Sequence, residues 1–307
     1  MIEWMNVGLI DIDSHNFPNL VLMKLSAWHK AQGDATFLVK PDDVFMGENI
    51  FHPYGRLYGA CVFSENAGIA RKLEAIGAYV AGSGTGKSDV LPSEVEHIMP
   101  DYGLYGITDT AYGFLTRGCP RRCPFCIVSQ KEGAQSRKTS DLSEWWAGQK
   151  YIKLLDPNLL ACPEHESLLC QLAESGGWVD ITQGLDARLL TDSNIALLNR
   201  IKLKGLHFAW DNPRDDGIKE NFKKFISRTA MTKHRKPCVY LLTNYWSSHE
   251  EDLSRVYWLR DNGFDPYVMV YDKYHAPQET RYLQRWVNNR KVFGKIKRFE
   301  DFDHRQG

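Results

Sequence analysis

Short apolar runs alternate with amphipathic stretches along this 307-residue chain, and that alternation limits its fold more than any other feature. Residues 7–12 read as a buried strand. Residues 19–31 follow as a helix with Leu20, Met23, Leu25 and Trp28 at its apolar positions, and Gly33 stops it. Strands at 36–39, 57–63 and 78–80 and a helix at 66–76 complete a first set. A second set has strands at 113–116, 151–155, 179–182, 206–210, 239–243 and 267–271. Helices at 142–149, 164–174, 192–201, 218–232 and 250–261 separate them, and a last one covers 278–292. Strands joined through helices imply parallel sheets covered by helices. The expected architecture is α/β, with a small Rossmann-like parallel-sheet domain over 1–90, a linker over 91–110 and a larger unit over 111–307. Six strand–helix units fit a partial barrel or an open sheet, and periodicity does not separate the two.

Chemistry concentrates in Cys119-Pro-Arg-Arg-Cys123-Pro-Phe-Cys126. Three thiolates this close can grip one soft metal centre. A four-iron cluster normally takes four cysteines, so three leave one iron open to a small molecule. Structural zinc wants a fourth ligand, usually as two spaced pairs, and Cys162, Cys170, His97 and His165 do not supply the second pair. Seven cysteines, an odd number, and an N-terminus without a basic start or cleavage site argue against disulfides and export. The reducing cytoplasm is the expected location. No apolar run approaches the ~20 residues of a membrane span, so no membrane partner is expected. The formal net charge of zero gives no whole-molecule argument for nucleic acid.

The C-x3-C-x2-C spacing, with Phe125 before the last cysteine, resembles the signature of the radical S-adenosylmethionine (SAM) enzymes. The resemblance implies a partial (β/α)6 barrel over 111–307, with the cysteine loop after its first strand. It implies that Cys119, Cys123 and Cys126 hold a [4Fe-4S] cluster whose open iron binds SAM by its amino and carboxylate groups. Reductive cleavage of SAM would then give a 5′-deoxyadenosyl radical, with the electron from a donor such as flavodoxin or ferredoxin. Ligands of parallel α/β folds meet the carboxyl ends of the strands, where Asp156, Asn158, Gln183, Asp186, Arg188, Asp211 and Asn244 fall. By resemblance, Asp156 or Asn158 meets the SAM ammonium, Asp211 the ribose, and Phe125 the adenine. Gln183, Asp186 and Arg188 face SAM or substrate. Many family members carry Gly-Gly-Glu after the second strand, where this chain has Asp156-Pro-Asn158.

Two motifs in the first ninety residues invite other readings. Ala81-Gly-Ser-Gly-Thr-Gly-Lys87-Ser88 fits a permissive phosphate loop, but Asp89-Val-Leu-Pro92 follows where a helix must begin. A tight glycine turn packed at a sheet edge is the better account. Asp13-Ser-His15-Asn-Phe-Pro18 resembles the cobalt-ligating loop of cobalamin-binding domains, with Pro18 in place of its Gly. One group of radical SAM enzymes carries such a domain ahead of the barrel, and the layout resembles that group. Cobalamin is therefore a cofactor the layout admits but the degenerate motif does not favour. The alternatives are a cobalamin-dependent radical methylase, with corrinoid on His15, and a non-catalytic zinc or iron–sulfur module. Residues 281–298 hold seven Lys or Arg and no acid, which suits a solvated helix face or an anionic substrate. RNA, a peptide and a phosphorylated metabolite all remain open as substrates.

Overall fold

The computed structural model describes residues 4–13, 17–45, 53–87, 89–215, 217–231 and 235–305. They form two compact units, Met1–Gly113 with Ser140–Lys150, and Phe114–Thr139 with Tyr151–Gly307. The first unit thus takes in the expected linker. There the helical turns Ser93–Glu96 and Tyr102–Tyr105 bury Val95 and Tyr102. Lys24 pairs with Glu96 at 2.8 Å, and Ser26 and Lys30 both donate to Asp101.

The first sheet contains β1 (Asn6–Asp11), β2 (Ala35–Val39), β3 (Arg56–Ala60) and β4 (Tyr79–Ala81), parallel and ordered β2-β1-β3-β4. A strand covered on both faces is apolar throughout. In β1, Val7 and Leu9 pack with Leu22 and Leu25, while Ile10 and then Ile12 pack with Leu57, Leu73 and Val80. Helix Leu20–Ala31 is capped by Asn19, whose side chain accepts from the Leu22 amide at 3.2 Å. After β1 the Asp13 carboxylate accepts from the amides of Val62 (2.5 Å) and Phe63 (3.3 Å) and from Asn66 Nδ2 (2.8 Å). His15 and Ser88 lie outside the described residues. The glycine-rich turn folds as the packing account expects. A Cβ on Gly82 would collide with the Cys61 carbonyl, and one on Gly84 would sit 2.5 Å from the Phe63 carbonyl oxygen. Lys87, the phosphate-loop lysine of the motif, is engaged by Glu74 and by the Val80 carbonyl.

Strand β5 (Thr110–Gly113) is followed by β6 (Thr116–Arg117), which pairs antiparallel with β7 (Arg137–Lys138). Then come β8 (Tyr151–Leu154), β9 (Trp178–Asp186), β10 (Leu203–Ala209), β11 (Cys238–Thr243) and β12 (Asp265–Val270). In the second unit β8, β9, β10, β11 and β12 form one parallel sheet in strict chain order. Helices His165–Ser175, Asp192–Arg200, Ile218–Arg228, His249–Asp261 and Gln278–Asn288 alternate with these strands. Reciprocal caps start two of them, Thr191 with Asn194 and Ser248 with Glu251. Phe208 of β10 anchors the core, its ring 5.0 Å from Phe225 and 5.7 Å from Phe222.

Four sequence expectations are corrected. The strand expected at 113–116 is broken into β5 and β6 around Phe114 and Leu115. The helix expected at 142–149 shrinks to a 3-10 turn, Leu142–Glu144, capped by Asp141. The apolar residues there serve packing instead: the buried Trp145 ring lies so close over Gly113 that a Cβ would not fit. Strand β9 runs nine residues, through the polar Gln183-Gly184. The last helix divides at Asn289, whose side chain caps Arg290–Lys295 by accepting from the Val292 amide.

Candidate active site at the cysteine loop

The cysteines occupy the loop that leaves β6, and the second unit holds that loop from several strand ends. Its entrance is set by Asp156, just past β8. One carboxylate oxygen accepts from the Leu115 amide at 2.8 Å, the other from the Thr116 amide at 2.7 Å and hydroxyl at 2.6 Å. The broken strand leaves these amides without ladder partners, and a buried N–H needs an acceptor. Gly118 follows at φ +86°, where a Cβ would collide with the Gln135 carbonyl. Glu132 then accepts from Arg117 Nη1 (2.8 Å) and the Gly118 amide (3.2 Å), and the Cys119 amide donates to the Gly133 carbonyl.

Within the loop, Arg121 forms an ion pair with Asp186 at the end of β9, which also accepts from Arg188 Nε at 2.7 Å. Arg188 Nη1 continues to Asp215 at 3.1 Å. Phe125 packs edge-on against Tyr245 and Trp246, each 5.4 Å away, in the segment after β11. Tyr245 in turn meets Tyr271 beyond β12 at 4.7 Å. The loop is therefore fastened by hydrogen bonds, an ion pair and ring contacts to elements that lie far apart in sequence.

All three thiols are half-buried and free. Burial raises the Cys123 thiol above its ordinary value, and so do the nearby negative charges of Asp211, Cys119 and Cys126, while Arg188 opposes them. Asp211 itself is pushed up to about 6, mainly by burial. Asn158 is 4% exposed; its Nδ2 lies 3.5 Å from Cys119 Sγ, and its Oδ1 is buried without a hydrogen-bond partner among the described residues. An orphaned buried carbonyl oxygen costs roughly 1–3 kcal/mol, so its persistence beside the cysteines points to a donor supplied by a ligand.

The residues marked in the sequence divide clearly. Asp156 is 3% exposed, and both of its oxygens are spent on Leu115 and Thr116, so within the Asp156–Asn158 pair only Asn158 presents a free acceptor. Burial pushes the Asp156 carboxyl up to about 7 against these hydrogen bonds. Asn244 stands at φ +62°, and its Nδ2 donates to the Tyr271 carbonyl at 2.9 Å, joining the ends of β11 and β12. Gln183 is exposed on β9. Arg121, Thr116 and Trp246 are among the site residues that carried no assigned role in the sequence reading. Arg121 was visible only as part of a basic pair between cysteines, Thr116 as the end of a supposed strand, and Trp246 not at all.

The three-thiol donor set suits an iron–sulfur cluster in its chemistry. Among the described residues no group of three or more His, Cys, Asp or Glu side chains converges as a metal site. No helix among those residues is long and apolar enough to cross a membrane.

The fold is one found among radical SAM enzymes. The chain matches the radical SAM methyltransferase TsrM from Kitasatospora setae, solved with its tryptophan substrate and a SAM analogue. The likeness covers 86% of this chain and 72% of that one, with a TM-score of 0.59 at 10% identity. SuiB from Streptococcus suis, solved with SAM, is a weaker likeness, with a TM-score of 0.40 and 13% identity over 80% of this chain and 53% of that one. No protein-family model and no curated protein sequence matches the chain.

Proposed function

We propose that this protein is a radical SAM enzyme acting on a substrate yet to be identified. The observation that carries the reading is the pinned cysteine loop, with Cys119 Sγ accepting from Nδ2 of Asn158, whose Oδ1 has no hydrogen-bond partner among the described residues. In this reading the second unit's sheet belongs to a partial (β/α)6 barrel, and Cys119, Cys123 and Cys126 hold a [4Fe-4S] cluster. When bound, that cluster supplies one electron to SAM, breaking a carbon–sulfur bond to leave methionine and a carbon-centred radical. An electron carrier such as flavodoxin or ferredoxin restores the electron, and the cytoplasm is the fitting location.

The chain's own residues bind and orient. Asn158 Oδ1 accepts from the SAM ammonium, which satisfies the orphaned atom. Asp211 accepts from the ribose hydroxyls. Phe125, backed by Tyr245 and Trp246, offers a ring to the adenine and keeps water from that side. Gln183 lies exposed within β9 and Arg188 just past its end, where Arg188 balances the acidic pair Asp186 and Asp215. Asp156 and Asn244 act on the frame, the first by fixing the loop entrance and the second by joining two strand ends. Cobalamin stays outside the proposal, because Asp13, two residues before His15, spends its carboxylate on the segment after β3.

Anaerobic reconstitution with iron and sulfide, dithionite reduction and EPR with and without SAM provide the test. A four-iron signal that changes on adding SAM supports the reading. A protein that takes up zinc alone, or a cluster indifferent to SAM, overturns it.

A further inference from the structure

At the opposite edge of the second unit's sheet lies a cavity of about 350 Å³, at the amino ends of β11 and β12. Its floor includes Cys238 and Asp265, the first residues of those strands. One strand's length, roughly 17 Å at the ordinary rise per residue, separates this edge from the strand ends that face the cysteine loop. Volumes of this order are those of small-molecule sites.

Four cationic side chains from separate segments line the cavity, Lys236, Arg260, Arg290 and Lys297, against one carboxylate, Asp265. Two of them, Arg290 and Lys297, belong to the basic run at 281–298, and the fold adds the other two from before β11 and from helix His249–Asp261. The ammonium groups of Lys236 and Lys297 make no hydrogen bond or ion pair with any described residue. Arg290 comes no closer than 4.0 Å to Asp265. Arg260 is the fixed member: its Nε donates to Asp261 at 3.1 Å, its Nη1 donates to the Lys297 carbonyl at 2.5 Å, and its plane lies 4.9 Å from the Tyr257 ring. Like charges gathered round a concavity repel one another unless an anion joins them, and low-dielectric walls focus that field. Tyr267 and Phe293 add rings to the wall, and Tyr267 is 43% exposed.

We infer that this cavity is a binding site for a small phosphate-bearing molecule, separate from the cysteine loop. Arg260, its Nε and Nη1 held by Asp261 and the Lys297 carbonyl, leaves Nη2 as an oriented donor, Lys236 and Lys297 supply mobile point charges, and the cavity's volume suits a small anion.

The test is calorimetric titration of the full chain with pyrophosphate. Three proteins are compared: the unsubstituted chain, Lys236→Gln with Lys297→Gln, and the charge-matched control Lys40→Gln with Lys72→Gln, at exposed positions of the first unit. Saturable binding is expected at one site, weakened roughly tenfold or more by the cavity pair and unchanged by the control pair, given what one charge-assisted hydrogen bond is worth. The substituted lysines are exposed, and matching thermal melts verify that all three proteins are folded. No saturable binding, or equal loss in both pairs, overturns the inference. So does tight binding of a single-stranded RNA through the same lysines with none of pyrophosphate, which would make the surface a nucleic-acid site. Because the titration needs neither cluster nor SAM, its outcome is independent of the EPR test.

Discussion

Replacing Asp156 by Asn tests how the cysteine loop is held. Asp156 accepts three hydrogen bonds, from the amides of Leu115 and Thr116 and the hydroxyl of Thr116, while 3% exposed. An amide keeps one acceptor and turns an NH2 toward a backbone N–H, so at least one buried donor loses its partner at a cost of about 1–3 kcal/mol. Against this stands the cost of the charge. The carboxyl titrates at about 7 in the fold, against an ordinary 3.8. A group raised on folding contributes stability that is full below the unfolded value and is lost as pH rises through the folded one. The gap of about three units corresponds to about 4 kcal/mol, lost between roughly pH 4 and 7. Asp156→Asn is therefore expected to be less stable than the unsubstituted chain by about 1–3 kcal/mol near pH 4, with the deficit shrinking from there and reversing by pH 8. Urea melts of both proteins across pH 4–8 give the difference directly, and titrations common to both cancel. A difference that stays flat with pH would show that burial does not raise the Asp156 carboxyl, and the charge side of this account would fail; a deficit absent at every pH would refute the hydrogen-bonded loop entrance.

Gly118 and Gly263 share φ +86°, but a Cβ at Gly118 collides with the Gln135 carbonyl, whereas at Gly263 nothing comes nearer than Ile226 Cδ1 at 3.9 Å. Ala at 263 should cost about 1 kcal/mol of conformational strain and Ala at 118 several times that, measured by chemical denaturation; equal losses would remove the close approach as the reason for Gly118. Arg255 is 3% exposed and donates to the carbonyls of Trp210 and Leu242 and to Asp252. Arg255→Lys cannot span these acceptors and is expected to lose about 3–5 kcal/mol in the same melts; a loss under about 1 kcal/mol would contradict the staple. Asp186→Asn weakens the tie to Arg121, so limited proteolysis after Arg121 or Arg122 should accelerate severalfold, and an unchanged cleavage rate would show that the loop is held elsewhere.

The sequence is most informative where one residue's chemistry suffices, and least where two distant residues must meet. The cysteine spacing and the glycine turn at 82–86 are local, and each was readable in the chain. Strand ends were also readable as the places where polar groups gather, which is why Asp156 and Asn158 were marked together. Which way each side chain turns depends on what it meets. Asp156 turns to two amides left unpaired by the break between β5 and β6, and no pattern announced that break. Strand β9 was read as four residues because Gln183-Gly184 interrupts its apolar run. The strand continues there because Gly184 lets β10 approach so closely that a Cβ would lie 2.9 Å from that of Ala209. Trp145 looked helical because ring packing against Gly113 leaves the same apolar trace as a helix face. Trp246 was silent because nothing local in the chain tells residue 246 that it will meet residue 125.

The strict succession of β8, β9, β10, β11 and β12 also bears on how the chain is made. As each of these strands leaves the ribosome, the neighbour it needs has already been synthesised, one helix earlier. The second unit can grow by accretion at a single edge, with short loops to close at every step. In the first unit β3 must instead settle on the far side of β1 from β2, so two neighbours compete for the flanks of one strand. Synthesis in order therefore favours a nascent second unit that builds its sheet stepwise and exposes only one unfinished edge at a time.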